Sequence, residues 1–452
     1  MSTPILKTFG YSFLSFLKHR VNGGLLLMIV AVAAMAVANS PWAAAYHAFW
    51  SHPVSLQVGG FNLFSHHGEP LSLMQFINDA LMAVFFFSVG LEIKREILVG
   101  ELSSLRQALL PIIAAVGGML LPVAIYFALT YGTPGSQGLA IPMATDIAFS
   151  LGVLSLFGRR VPLSLKIFLT AFAVVDDIGG ILVIAFFYTS HLSVPHLLAA
   201  VGVLAVLLLA NRLRIMSRTF YCLLGIVVWY CFLQSGVHAT IAGVLVAFTI
   251  PSIPCLEVKK YIARIRENVS EFPRFEGSSI LLTPHQIDVL KSIESASDKV
   301  ISPLQFMEDR MHGLVNYVVM PLFAFANAGI TLSGGAEGMV GAVTIGVVLG
   351  LVAGKFAGIY LFTWLAVRSG LTSLPQGMSW RNLSGVALLG GIGFTVSLFI
   401  ANLSFGSTDA VLLNQAKLGV LAGTVLAGVL GSIVLRCTLP SLPSAADSRN
   451  ER

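Results

Sequence analysis

Apolar residues along this chain do not alternate with polar ones; they come in long runs separated by short polar breaks, from near Gly23 to near Cys437. A helix rising 1.5 Å per residue needs roughly 20 such residues to cross the hydrocarbon core of a bilayer. Taking each run as one span predicts twelve, centred near residues 30, 84, 118, 147, 175, 203, 226, 243, 323, 352, 394 and 425. Two stretches depart from the pattern. Residues 251–303 are polar and charged, with Ile287, Leu290 and Ile293 at helical spacing, which predicts a loop carrying an amphipathic helix or two. "VSLQVGGFNLF" (Val54 to Phe64) alternates on both sides of Gly59-Gly60, a hairpin signal with an edge free to pair with another chain.

Composition agrees with the spans: of 452 residues, 56% are hydrophobic and 11% charged, and the mean hydropathy is +0.85. The formal charge of +6 does not point to nucleic acid, because of where it sits. No residue from 21 to 93 is Lys or Arg, whereas Lys7, Lys18, Arg20, Lys94, Arg95, Arg106, Arg159, Arg160, Lys166, Arg212, Arg214, Arg218, the cluster from Lys259 to Arg310, Arg368, Arg381 and the residues from Arg436 onward all fall on one side of the predicted spans. Lys417 is the exception. The basic side is read as the cytoplasm, with both termini on it. The chain then divides into a cytoplasmic segment 1–20, spans one to eight over 21–250 with an external hairpin at 54–64, a cytoplasmic insertion 251–303, spans nine to twelve over 304–437, and a cytoplasmic tail 438–452. A cleavable signal peptide would also begin with a basic segment, but the run from Gly23 to Ala38 is long for one. The four cysteines show neither C-x-x-C spacing nor histidine partners, so no metal site or disulfide framework is indicated.

Some ionisable residues fit no loop or helix end: Asp79, Asp146, the adjacent pair Asp176 and Asp177, and Lys355. Near the centre of a spanning helix each costs about 2.5–3.5 kcal/mol, so the pair costs about 5–7 kcal/mol if the terms add. Residues 167–188 around the pair hold no other charge and no proline, which argues against a loop. Sequence neighbours on a helix point about 100° apart, so one carboxylate can line a cavity while the other turns to a neighbouring helix. Lys355, in "GLVAGKFAGIYLF", has apolar sequence on both sides and is a candidate neighbour. Two spans also look interrupted: "GLAIPMATDIAFSLGVL" carries Pro142 just before Thr145 and Asp146, and "GVALLGGIGFTVSLFIA" carries Gly390, Gly391 and Gly393 just before Thr395. Broken helices in transporters expose half-helix ends and free carbonyls to an ion. The glycines equally suit close helix packing, which accounts for Gly419 and Gly423 in the last span.

The chain resembles the bacterial NhaA-type sodium/proton antiporters over nearly all of residues 12–437. The resemblance rests on "NDALMAVFFFSVGLEIKRE" (Asn78 to Glu96), "AIPMATDIAFSLGVL" (Ala140 to Leu154), "VVDDIG" (Val174 to Gly179), "SGVHATIAG" (Ser235 to Gly243), "PLFAFANAG" (Pro321 to Gly329), Gly354-Lys355 and "GIGFTVSLFIA" (Gly391 to Ala401). It implies an all-α polytopic membrane protein of twelve transmembrane helices with inverted-topology repeats, an architecture of which that family is itself a type case, and with the spans around Asp146 and Gly393 unwound and crossing. It further implies exchange of cytoplasmic Na+ or Li+ for external H+, no enzymatic activity, no cofactor, a homodimer formed through the 54–64 hairpin, and a place in the bacterial inner membrane. Asp177 would be the principal cation ligand. Asp176 would help bind the ion and exchange either its proton or its salt bridge to Lys355, and Thr145 would offer an oxygen nearby. Asp146 and Lys355 would offset the half-helix dipoles. Glu92, Arg95, Glu96, Glu308 and His312 match a charged cluster tied to pH regulation, although Asp309 stands where the family commonly has a histidine. His238 is also a family position and is read here as a helix-packing residue.

Other classes fit less well. An intramembrane aspartyl protease needs its second aspartate in a G-x-G-D context, and here Gly391-Ile392-Gly393 is followed by Phe394. A membrane prenyltransferase needs D-D-x-x-D, and Asp177 is followed by Ile178, Gly179 and Gly180. A broken-helix symporter of sodium and an organic anion is the remaining alternative.

Overall fold

The computed structural model describes residues 23–439 apart from 56, 59–60, 63, 67–68, 190–191, 255–256, 272–282, 332–339 and 407–408. The expected N-terminal segment, most of the expected tail and the Gly59-Gly60 turn therefore lie outside the described residues.

The described chain is helical apart from four two-residue strands. Helix α1 (Gly23–Ala38) turns through 109° into α2 (Ala43–Ser51). Strands β1 (Gln57–Val58) and β2 (Phe61–Asn62) pair antiparallel, with Val58 opposite Phe61. A second pair, β3 (Ser65–His66) and β4 (Glu69–Pro70), was not anticipated from the sequence. Then come α3 (Leu73–Val99), α4 (Leu105–Thr130), a short 3-10 segment ending at Met143, α5 (Ile147–Ser155), α6 (Leu163–Phe187), α7 (Val194–Arg212), α8 (Arg218–Ser235) and α9 (Ala239–Thr249). Residues from Val258 form two exposed helices, α10 (Val258–Glu271) and α11 (Pro284–Val300). The second half holds α12 (Pro303–Leu314), a π-helical turn Val315–Val319, α13 (Met320–Asn327), α14 (Ala342–Leu349), a π-helical turn Gly350–Gly354, α15 (Lys355–Arg368), α16 (Trp380–Leu389), α17 (Phe394–Phe405) and α18 (Ala410–Thr438).

Among the described residues, six helices are long and apolar enough to cross a membrane, and nine if each of three bent pairs is one span. This makes the protein polytopic without by itself yielding twelve crossings. Helices α8, α9 and α12–α13 lie at the remaining predicted centres.

In lipid, apolar side chains gain little by leaving one apolar surface for another, so helices associate where small residues let backbones approach. Such contacts recur here. A Cβ on Gly117 of α4 would meet the Gly358 carbonyl of α15, and one on Gly358 would meet Gly117. A Cβ on Gly243 of α9 would meet the Ala83 carbonyl of α3. Gly419 and Gly423 pack on α14 and the turn after it, with prospective Cβ contacts of 2.9 Å to the Thr344 carbonyl and to Leu351. Lys94 closes the other end of α9 by donating to the Phe248 and Ile250 carbonyls, at 2.7 and 2.5 Å.

The polar insertion holds two helices, and on α11 Gln286 and Val289 are buried while Ile287 and Leu290 are exposed. Helix α11 meets α10 where Asn268 Nδ2 donates to Ser292 Oγ at 3.2 Å.

Candidate functional site

Two interrupted helices meet at the centre of the molecule. The segment Pro134–Met143 bends by 45° into α5, and α16 bends by 43° into α17. Proline and glycine set the breaks. Pro142 has no N–H to continue a helix, and Gly391 lies so close to the Leu351 carbonyl that a Cβ would collide with it.

A break frees backbone N–H and C=O groups, and in lipid each must find a partner. Here the two breaks satisfy one another. Asp146 caps α5 by accepting from Phe149 N at 3.0 Å, and its other oxygen accepts the Thr395 backbone N–H at 3.3 Å and the Thr395 hydroxyl. One carboxylate thus serves two positive helix ends. The Asp146 N–H donates to the Ile392 carbonyl at 2.6 Å, and the Thr145 hydroxyl to the Gly390 carbonyl at 2.7 Å. Two further hydroxyls are exchanged reciprocally: Ser150 Oγ donates to Leu389 O at 2.9 Å, and Ser397 Oγ to Ile141 O at 2.8 Å. Thr424 of α18 accepts from Phe394 N at 3.2 Å. In the sequence Thr395 stands out only as the residue after a glycine cluster, and Ser150, Ser397 and Thr424 do not stand out. A hydroxyl soon after each break was the available signal for the first three; nothing marked Thr424.

The aspartate pair lies in mid α6, and its two members face different surroundings. Asp176 is bridged by Lys355 Nζ at 2.8 and 2.7 Å, with the lysine side chain wholly buried and the aspartate side chain 1% exposed. Thr145 also lies against Asp176. Lys355 follows directly on the π-helical turn Gly350–Gly354, whose glycines admit Pro142 and Pro122 at prospective Cβ distances of 2.6 and 2.7 Å. Asp177 is buried, yet among the described residues no hydrogen bond or ion pair engages its carboxylate. The charges that act on it are Asp176, Glu92, Asp146 and Lys355. The structure therefore gathers Thr145, Asp146, Asp176, Asp177 and Lys355 into one buried cluster.

Asp79 does not join them. It lines a cavity of about 1250 Å³ together with Asn78, Tyr188, His238, Asn402 and Lys417. Lys417, the exception to the charge pattern, is buried on α18 and has no ion-pair partner among the described residues. His238 precedes α9 at the wall of the same cavity.

A second charged group forms where α3 meets α12. Arg95 pairs with Glu96 at 2.7 Å and with Glu308 at 2.8 Å, and Glu96 also accepts the Glu101 backbone N–H at 3.1 Å. Glu92 lies one turn earlier on α3. His312 turns to Asn316, and Asp309 is exposed.

Broken apolar helices converging on buried charge define a polytopic membrane protein whose centre is built around ionisable groups. The chain belongs to the Na+/H+ antiporter 1 family, whose model matches residues 14–435. It is 64% identical over 435 residues to the Na+/H+ antiporter NhaA of Phocaeicola vulgatus, covering 96% of this chain and 97% of that one. It is 61% identical over 426 residues to the NhaA antiporter of Bacteroides fragilis strain YCH46, covering 94% and 97%. It is 45% identical over 422 residues to that of Helicobacter pylori strain J99, covering 93% and 94%.

Proposed function

We propose that this chain exchanges cytoplasmic Na+ or Li+ for external H+ across the bacterial inner membrane, with Asp177 as the principal cation ligand. The observation that carries the reading is the contrast within the pair. Asp176 is neutralised by Lys355, while Asp177 sits beside it, buried and with no donor among the described residues. A buried carboxylate without a donor is costly unless a proton or a cation joins it. A hard ion such as Na+ or Li+ binds through oxygen, and Thr145 offers one: its single hydroxyl proton goes to Gly390, leaving lone pairs on the oxygen. Cation and proton cannot occupy the carboxylate together. If each loading favours the opposite orientation of the broken helices, that exclusion is the coupling. Asp176 or Lys355 releases the second proton, and the exchange is electrogenic. Asp146 and Lys355 offset the half-helix dipoles.

The finer architecture belongs to the same proposal: twelve crossings, both termini cytoplasmic, and inverted-topology repeats whose unwound members cross at the site. The reciprocal bonds Ser150 to Leu389 and Ser397 to Ile141 support the repeats, since a two-fold relation between the breaks swaps partners in this way. The 54–64 hairpin joins two copies into a homodimer. The cluster Glu92, Arg95, Glu96, Glu308 and His312 regulates exchange with pH, supported by the ion pairs that join Arg95 to Glu96 and Glu308. Residues 251–303 form a cytoplasmic insertion. No cofactor is required beyond the transported ions.

Everted vesicles with a pH-sensitive dye test the reading. Added NaCl or LiCl should collapse the proton gradient. A gradient untouched by either salt but collapsed by an organic anion would move the protein to the symporter class.

A further inference from the structure

A chain of three asparagine side chains ties together three helices around the site. Asn402 Nδ2 donates to Asn327 Oδ1 at 2.8 Å, and Asn327 Nδ2 donates to Asn78 Oδ1 at 2.8 Å. They belong to α17, α13 and α3 respectively. The direction of the chain is set by the helices. Asn402 Nδ2 also donates to Leu398 O at 2.8 Å and Asn327 Nδ2 to Phe323 O at 3.0 Å, so each nitrogen is held by the carbonyl one turn back and each oxygen is left for its neighbour. Asn327 is fully buried, with both amide protons and its oxygen engaged. Asn78 and Asn402 line the cavity that holds Asp79 and Lys417, whereas neither Asp176 nor Asp177 is among its walls.

Asn402 stands seven residues after Thr395, which puts both on one face of α17, about 10 Å apart along its axis. At one point that face holds Asp146, and at the other it holds Asn327. Three phenylalanines from the same three helices pack beside the amides: Phe399 lies 6.2 Å from Phe86 and 6.4 Å from Phe323, ring centre to ring centre. An amide chain in apolar surroundings holds its geometry strongly, because each unmade bond leaves a buried polar atom.

We propose that the Asn78–Asn327–Asn402 chain sets the rotation and height of α17 against the ion site, making the three asparagines positioning residues for exchange. The inference rests on the exchange reading above. Asn327→Leu, Asn402→Leu and the double variant, with similar side-chain volumes, are purified, melted and reconstituted, and maximal Na+-driven exchange and KM for Na+ are measured per folded protein. Each single variant should lose about tenfold in maximal rate, the effect of one buried hydrogen bond. KM should stay within about twofold, since no cation ligand is touched. The double variant should be no slower than the slower single, because both break one unit. Asn78→Ala, at the half-buried end of the chain, leaves the core amides in place and should fold even if the leucine variants do not, with a smaller loss in the same direction. Rate losses that multiply in the double, lower melting with unchanged turnover, or an Asn78→Ala protein equal to wild type would overturn the proposal. Wild-type protein inactive with Na+ and Li+ would overturn the exchange reading as well, whereas an active wild type with unaffected variants overturns the chain alone.

Discussion

Lys355→Ala removes one partner of the most deeply buried ion pair described in the structure. Both ends are almost fully excluded from solvent and the ammonium bonds both carboxylate oxygens, so the range of about 0.2–1 kcal/mol measured for exposed pairs does not apply. Removing one partner of a buried pair costs about 3–5 kcal/mol, because the remaining charge is uncompensated. The lysine stem adds packing, with its ammonium 5.5 Å from the centre of the Phe172 ring. Detergent-purified Lys355→Ala should therefore melt at least about 5 °C below wild type and show a displaced pH profile of exchange. Lys355→Arg keeps the charge and should recover part of both, limited by a wider guanidinium in a site closed by glycine contacts. The informative measurement is the double variant Lys355→Ala/Asp176→Asn. Neutralising the second member removes the uncompensated buried charge, so melting should return in part, short of wild type by the cavity the lysine leaves, while exchange stays impaired. A double variant as unstable as Lys355→Ala alone would assign the loss to packing and refute the electrostatic argument.

Asp177→Asn should fold and insert, since an amide is cheaper to bury than a carboxylate, yet be inactive with Na+ and Li+ from mildly acid to alkaline pH; near-wild-type exchange would move the primary site to Asp176 or Asp146. In the wild type, apparent Na+ affinity should weaken as pH falls, because protons compete for the same oxygen atoms, and a pH-independent KM would contradict that competition. Asp146→Ala strips a cap from two half-helices at once and should destabilise by about 2 kcal/mol, with Asp146→Asn intermediate, as read by thermal melting. Deleting residues 54–64 should yield monomers that still transport, and unchanged dimer crosslinking would exclude the hairpin as the contact.

The membrane class, the approximate span centres and the rare interior charges were legible because a bilayer selects segments by local properties: apolar length and the cost of each charge within it. The same locality made Pro142 and the Gly390–Gly393 stretch readable as breaks. Asp176 and Asp177 drew notice for the same reason, and the helical angle between neighbours foretold different surroundings, though not which member would face Lys355. Spacing predicted helices in the insertion without saying which positions on α11 are buried, since an exposed two-helix insertion buries whichever face its partner covers, here the one with Val289.

Partners of buried polar groups lay beyond that local reach, and only the family resemblance named Lys355 for Asp176. Lys355 meets Asp176 across 179 positions of sequence, Thr395 meets Asp146 across 249, and Asn402 reaches Asn78 through an amide on a third helix. Which helices touch is decided by glycine contacts such as Gly117 with Gly358 and by how two broken helices satisfy each other's free backbone groups. Sequence determined which residues had to find partners, because lipid offers them none; the packing of helices against one another decided who those partners are, and left Asp177 without a donor among the described residues.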